Sequence, residues 1–260
     1  MQVLRFDLID ARAQIGIRRA TVFLGLGVNA ANRPDIRDYH LSDDTTLKML
    51  PDVSESVVDA WKPEFRTWII AGGFRELIEH LSLFLDGIFG CVVMVPRSTK
   101  KDSNAQFEKR GLQGKLKVLA DDFGITSGFD DSLSSLAPVR NCLVHRLGVV
   151  GKEDMARGKL VLRFHAPRIF VSTPSGDIEV PQVPANSFPI EFPDGGEMKM
   201  EPFKLHERRF EVGEAIILSP HELHQILFFS QQCMGRILSS ALAYCTSNGA
   251  QIEVTGHGTD

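Results

Sequence analysis

One short segment of the chain brings a guanidinium, an amide and an imidazole together at fixed spacing. Residues 140–145 read Arg-Asn-Cys-Leu-Val-His. Histidine titrates near neutral pH and can move a proton, whereas arginine is always charged and presents a planar fork to a phosphate. An asparagine side chain can orient an imidazole or bond a phosphate oxygen. Arg140, Asn141 and His145 are therefore the residues with which this sequence could act on a phosphodiester.

The segment is predicted to lie on a short helix over residues 136–147. Ser134 or Ser135 can cap the start of that helix, Pro138 is tolerated in its first turn, and Gly148 can end it. Two long amphipathic helices are expected before it, which places the three polar residues late in a helical region.

Residues 140–150 resemble the R-N-x-[LI]-V-H-x-x-G-x-V signature of HEPN-domain proteins, which are compact helical bundles. The resemblance implies metal-independent endoribonuclease activity at a site formed between two protomers. In that chemistry the ribose 2′-OH attacks the adjacent phosphate, leaving a cyclic phosphate and a 5′-OH. It also implies that Arg140 stabilises the phosphate, that His145 moves protons or holds the phosphate, and that Asn141 has an orienting role. The implied setting is defence or toxin–antitoxin, with any antitoxin or other protein partner unidentified.

Helical geometry limits how these side chains can combine. Asn141 and His145 are four residues apart and share a helix face. Arg140 and His145 are five apart, which separates them by roughly 140° around the axis. Arg140 must therefore reach around the helix, or the site must combine groups from two copies of it. The second arrangement suits a two-fold homodimer, in which one patch meets itself.

A non-catalytic role remains open from the sequence. Arg140 could pair with a carboxylate such as Asp130 or Asp131, and Asn141 and His145 could be satisfied polar groups between helices. The chain would then be a HEPN-like module that binds a nucleotide, RNA or a protein partner. Exposure of Arg140 and His145 in a cleft would favour the nuclease, and burial of both would favour the module.

Two further polar residues could add to the site. Glu76 and His80 lie four apart on a predicted long helix and so share a face. The alternative is that they form part of a solvated helix surface. His221 and His224 are three apart at a helix start, whereas the zinc-protease pattern needs histidines four apart. We therefore expect no metal site and no cofactor.

The fold is predicted to be mainly α, a HEPN-like helical bundle with a β-rich insertion before the C-terminal helix. Residues 1–260 are read as one domain, and residues 151–215 as a β-rich, proline-rich insertion or subdomain within it. Residues 29–50 are expected to be a polar connection with one helical turn, and the last fifteen or so residues a loose tail. Hydrophobic periodicity predicts helices over 8–26, 63–95, 104–123, 136–147 and 220–244, with a break or kink at Gly72-Gly73.

The composition of the chain limits the kinds of partner and compartment that suit it. The 260 residues carry a net charge of −4, with 43% hydrophobic and 24% charged residues, as in ordinary globular proteins. No broad basic footprint is present, so RNA would be bound locally in a cleft. Four cysteines without a C-x-x-C pair fit a reducing compartment. No signal peptide is expected, because acidic residues interrupt the apolar ones at the N-terminus. No membrane span is expected, because the most apolar stretch, residues 81–95, is too short and too interrupted. These observations predict a cytoplasmic protein.

Overall fold

The computed structural model of the protein describes residues 3–31, 38–42, 45–48, 54–96, 104–155, 158–179 and 196–252. It is mainly helical, with a small antiparallel sheet before the C-terminal helix, as the sequence predicts at that level. None of the helices in these ranges is long and apolar enough to cross a membrane.

The longest helices are α1 (Phe6–Ala31) and α2 (Glu55–Val93), which pack side by side in opposite directions. A Cβ added to Gly16 would lie 2.4 Å from the Cβ of His80, and one added to Gly73 would lie 2.4 Å from Leu24. Glycines therefore let the two backbones approach closely. The predicted break at Gly72-Gly73 is wrong, because α2 runs through both residues. Side chains of α1 fill the space that the two glycines leave.

The connection between these helices holds a hairpin instead of the expected helical turn. Strand β2 (Asp38–Ser42) pairs antiparallel with β3 (Thr45–Lys48). Both helices also extend beyond their predicted ends, since α1 reaches Ala31 and α2 begins at Glu55. Pro63 lies inside α2, where hydrophobic periodicity placed the helix start. Tertiary packing thus outweighed the local signal of the proline.

The predicted helix over residues 104–123 is two helices. Helix α3 (Asn104–Glu108) is separated from α4 (Leu112–Phe123) by Gly111, which has an extended backbone. Gly124 ends α4 in the left-handed conformation, with φ of 66°, as predicted. Two short helices follow, α5 (Asp130–Ser134) and α6 (Leu136–His145).

The β-rich region is a long antiparallel ribbon. Strand β4 (Leu160–Thr173) pairs with β6 (Glu197–Phe210) over most of its length and with the short β5 (Gly176–Glu179) at one end. The register shifts between Ala166 and Arg168, on either side of Pro167, which cannot donate to the ladder. The sequence from Arg208 toward Gly213 is typical of a strand, and β6 begins well before it, at Glu197. Residues 180–195 of the expected insertion lie outside the described residues.

The ribbon and the last helix return to the bundle. Alternate β4 side chains, among them Leu162 and Phe164, are buried in the same hydrophobic cluster as the long helices. Helix α7 (Pro220–Ser247) begins at Pro220, as predicted, and the structure adds Ser219 as its N-cap. Within the predicted tail, β7 (Gln251–Ile252) pairs in parallel with β1 (Val3–Leu4), so those two residues are not loose. Residues 253–260 lie outside the described residues.

Candidate functional site around α6

Helix α6 is held in place by its apolar side and by Ser135, the residue before it. Val139, Cys142 and Leu143 are buried in the main core. The hydroxyl of Ser135 accepts from the backbone N–H of Arg163 at 2.8 Å, which ties the start of the helix to β4. Apolar spacing thus turns the other side of α6 outward. That side carries the polar residues singled out by the sequence.

Arg140 points toward α2. Its Nη2 donates to Oε1 of Glu79 at 3.4 Å, and its Nη1 donates to Oδ1 of Asn141 at 3.0 Å. The side chain is 21% exposed, so it is neither free in solvent nor enclosed. Its Nε is buried and has no hydrogen-bond partner among the described residues. The guanidinium is therefore positioned by one long ion pair and one neighbouring amide, with donor capacity left over.

The carboxylate of Asp130, proposed from the sequence as a partner of Arg140, bonds to other residues. It accepts from the hydroxyl of Thr126 at 2.6 Å and from the backbone N–H of Ser127 at 3.0 Å. These bonds tie the first residue of α5 to the turn that precedes it. Glu79, one residue before His80, supplies the carboxylate to Arg140 instead. Sequence analysis did not assign Glu79 to the site, because spacing along α2 alone does not show which polar residue faces α6.

Asn141 and His145 are both exposed. Within the described ranges, the imidazole of His145 makes no hydrogen bond or ion pair with another residue, and none joins it to Arg140. The divergence of Arg140 and His145 follows the helical spacing. One α6 therefore presents two functional groups in different directions, the guanidinium beside α2 and the imidazole at the free end of the helix.

The segment after His145 has a fixed backbone. Leu147 has φ of 53°, which is rare for a residue with a branched side chain, and Gly148 has φ of 80°. The carbonyl of Gly148 accepts from the backbone N–H of Ile216 at 2.8 Å. The glycine predicted to end the helix therefore also joins α6 to the segment that precedes α7.

Arg146 is used in this anchoring. Its Nε lies 2.5 Å from Oε1 of Glu153, and its Nη1 lies 3.3 Å from the buried Asp154. The pKa of Glu153 is lowered by a hydrogen bond from its own backbone and by the bond from Arg146. Burial raises the pKa of the Cys142 thiol to about 12. Cys142 is therefore a thiol at neutral pH and no nucleophile, as expected from the sequence.

Glu76 and His80 lie beside α1. Nη2 of Arg19 is 3.3 Å from Oε2 of Glu76, and Nδ1 of His80 is 2.9 Å from the Glu76 backbone oxygen. No hydrogen bond between either residue and Arg140 is present in the described part of the chain. Both flank Glu79 in sequence but face the α1–α2 seam. The structure thus places Glu79, and neither of these two residues, in contact with Arg140.

A groove of about 1160 Å³ borders this site. It lies between α2, the end of α6 and residues 215–218, and Arg75, which is 2.8 Å from Oε1 of Glu79, is part of its wall. Three apolar side chains around it are unusually exposed: Trp68 at 66%, Leu147 at 79% and Ile217 at 69%. An apolar surface of this kind marks a place where something binds.

The rim of the groove carries charges of both signs. Nζ of Lys62 is 2.7 Å from Oδ1 of Asp59, Glu64 lies on the same turn, and Arg66 donates to the Leu218 carbonyl at 3.4 Å. The groove is therefore no basic channel. It suits an apolar partner surface of mixed charge better than a long stretch of nucleic acid.

Among the described residues, no cluster of three or more histidine, cysteine or carboxylate side chains could hold a metal ion. His221 and His224 are exposed, and the Glu222 between them is committed to the helix start. Glu222 accepts from the backbone N–H of Ser219 at 2.8 Å and from Arg208 at 2.9 Å. The four cysteines are free and buried.

Comparison with known proteins provides no family for the chain. No protein-family model, no curated protein and no solved structure matches it. The chemistry must therefore be argued from the residues themselves.

Proposed function

We propose that this protein is a metal-independent endoribonuclease of the HEPN type. The observation that carries the proposal is the accessibility of the motif: His145 and Asn141 are exposed and Arg140 is partly exposed. Leu143, Val144 and Leu147 of the same segment line a groove. Three polar side chains buried within one protomer could not reach a phosphodiester, whereas the three side chains of this motif can reach one.

The reaction needs a proton acceptor, a proton donor and a positive charge. The ribose 2′-OH loses its proton and attacks the adjacent phosphorus, and the bond to the 5′-oxygen breaks as that oxygen takes up a proton. The imidazole of His145 moves one of these protons. The Arg140 guanidinium stabilises the extra negative charge on the phosphoryl oxygens. Asn141, which already accepts from Arg140, orients it.

The site is completed by a second copy of the chain. Arg140 and His145 diverge on one helix, so a single α6 cannot direct both to one phosphate. The neighbouring groove has the properties of a self-complementary surface: exposed apolar side chains, a concave region to receive them, and charges of both signs. A two-fold dimer through this face brings His145 of one α6 toward Arg140 of the other.

One observation favours the non-catalytic alternative, in which the motif only binds or stabilises. Glu79 partly neutralises Arg140 and competes with a phosphate for it. That contact is long at 3.4 Å and leaves Nε without a partner. A phosphate that displaced Glu79 would take over the Nη2 group, while Nη1 stays bonded to Asn141. The Arg140–Glu79 pair therefore fits an arginine to which no phosphate is bound.

The test is incubation of single-stranded RNA with the purified protein in excess chelator, with analysis of product ends. The wild type is expected to leave 2′,3′-cyclic phosphate and 5′-OH ends. Arg140→Ala and His145→Ala should each reduce cleavage by about 100-fold or more, because each removes a group that acts in the transition state. His224→Ala, which changes another exposed histidine, should cleave as the wild type does. Full cleavage by both site variants, or none by the wild type, would refute the proposal.

The dimer has a separate test by sedimentation. Asparagine tolerates the left-handed backbone of residue 147 better than leucine does. Leu147→Asn should therefore keep the fold while removing an apolar contact, and should weaken the dimer by about tenfold. Met198→Asn, at a similarly exposed position in β6, is the control and should leave it unchanged. A wild type that stays monomeric at all concentrations would contradict the two-protomer site.

A further inference from the structure

The outer face of α1 carries a second apolar surface, away from the groove. Leu8, Ile15, Val22 and Leu26 are 49%, 44%, 50% and 68% exposed. Their spacing of seven, seven and four residues puts them within about 40° of one another around the helix and along about 27 Å of its axis. We call these four residues the α1 stripe. The core-facing side of α1, which includes Ile17 and Leu24, lies opposite.

Basic residues flank the stripe on both sides. Arg12 lies roughly 40° to one side of Leu8, and Arg18 roughly 80° to the other. Both are exposed, and no ion pair to either guanidinium exists within the part of the chain that the structure describes. Arg19, nearer the middle, pairs with Glu76 on α2. The surface thus offers apolar contact in its centre and unneutralised positive charge at its edges.

A small groove of about 320 Å³ opens at one end of the stripe. Its walls include Leu8 and Arg12 of α1, and its floor includes Gly87 and Gly90 of α2, with Met94 at 44% exposure beside them. A Cβ added to Gly90 would meet nothing within 4 Å. The missing side chains leave room for one inserted from outside. A concave notch beside a straight apolar line is a feature that a partner helix uses.

We propose that the α1 stripe is a docking surface for an acidic amphipathic helix of another protein. The partner helix would place apolar residues at heptad spacing along the stripe and insert one of them at Gly87 and Gly90. Carboxylates on both sides of its apolar seam would meet Arg12 and Arg18. The charges select this occupant, because a second copy of α1 would set arginines against arginines. The notch selects a side chain over the flat surface of an anionic membrane.

The probe is a synthetic three-heptad peptide with leucine at the two seam positions and glutamate at the flanking ones. A matched peptide carries lysine in place of glutamate. Fluorescence anisotropy with the full chain should show micromolar binding of the glutamate peptide and at least about tenfold weaker binding of the lysine peptide. The double variant Ile15→Ser, Val22→Ser should weaken the glutamate peptide about tenfold or more. Met198→Ser, another exposed apolar position, should not.

A charge-reversal variant tests whether the preference between the two peptides can be inverted. Arg12→Glu with Arg18→Glu changes only exposed side chains, so the variant should fold, and it should prefer the lysine peptide. Equal binding of both peptides, or no binding of either, overturns the proposal. It is also overturned if phosphatidylserine vesicles, or a second copy of the chain in sedimentation, occupies the stripe and the glutamate peptide does not. Peptide binding should survive Arg140→Ala, so failure of the nuclease and failure of the docking surface are distinguishable.

Discussion

Helix α2 holds two basic side chains from other helices in very different ways. Lys115 of α4 is 1% exposed, and its Nζ bonds to Ser82 Oγ and to Asp86 at 2.7 Å each, 5.7 Å from the ring centre of Phe107. Arg140 of α6 is 21% exposed and reaches Glu79 only at 3.4 Å. The two carboxylates lie two helical turns apart on the same helix.

The difference separates a group that stabilises the fold from one that is available for chemistry. A buried ammonium with good hydrogen bonds cannot leave its partners without leaving a buried charge that nothing compensates. A partly exposed guanidinium with a long ion pair can exchange Glu79 for a phosphate at little cost, since pairs that are open to solvent contribute little. Burial and bond geometry, and not residue type, assign the two roles.

The largest expected effect comes from breaking the buried pair. Lys115→Ala should lower the free energy of unfolding by about 3 kcal/mol, because Asp86 keeps a largely buried charge without its partner. Urea denaturation measures it. The control is Lys117→Ala on the same helix, whose pair with Asp121 is exposed and which should cost less than about 0.5 kcal/mol. Equal losses of unfolding free energy in the two variants would show that the buried and the exposed ion pair do not differ.

The next effect concerns the seam between α1 and α2, which contains His80 and Glu76. Gly16→Ala places a Cβ 2.4 Å from His80, so the helices must separate, and stability should fall by about 1–3 kcal/mol. Gly25→Ala, on the same helix with nothing within 4 Å, should instead stabilise by up to about 1 kcal/mol. Thermal unfolding of both variants reports the signs. A destabilising Gly25→Ala would show that α1 is not the regular helix described.

A third pair, Arg208 with Glu222, has a carboxylate whose exposure of 22% lies between those of Asp86 and Glu79. Its pH dependence sharpens the comparison. Burial raises the pKa of Glu222, but bonds from Ser219 and Arg208 outweigh it and leave that pKa below its ordinary value. The stability it contributes is therefore present above about pH 4.3 and is lost as the pH falls through the lowered pKa. Glu222→Gln should cost about 1 kcal/mol at pH 7. As the pH falls through the lowered pKa of Glu222, the variant and the wild type should converge, and a difference that stays constant with pH would contradict the assignment.

The smallest effect tests the availability of Arg140 directly. Glu79→Gln removes the competing charge and keeps the shape, so affinity for a 2′-deoxy RNA analogue that cannot be cleaved should rise by about two- to fivefold. Stability should change by less than about 1 kcal/mol. Asp121→Asn, on the far exposed face of α4, removes the same charge and is the control for bulk electrostatics. A loss of affinity in Glu79→Gln would mean that the carboxylate positions Arg140 instead of competing for it.

Local chemistry made several features predictable. The cap of α7 by Ser219 and Pro220 and the left-handed Gly124 follow from residue type, because side-chain oxygens satisfy orphan donors and glycine tolerates positive φ. The helical character of residues 136–145 and the divergence of Arg140 and His145 follow from the helical period. The HEPN-type nuclease itself stays a prediction, supported by exposure and awaiting the cleavage test.

Other features were decided only when distant segments met. The continuity of α2 through Gly72 and Gly73 depends on α1, which occupies the space that the glycines leave. The partner of Arg140 depends on which turn of α2 faces α6, and one residue along a helix changes direction by about 100°. The sequence by itself determined which side chains are available and how they are spaced. Tertiary structure decided which of them are exposed and what they touch, because burial and contact are properties of the packed chain.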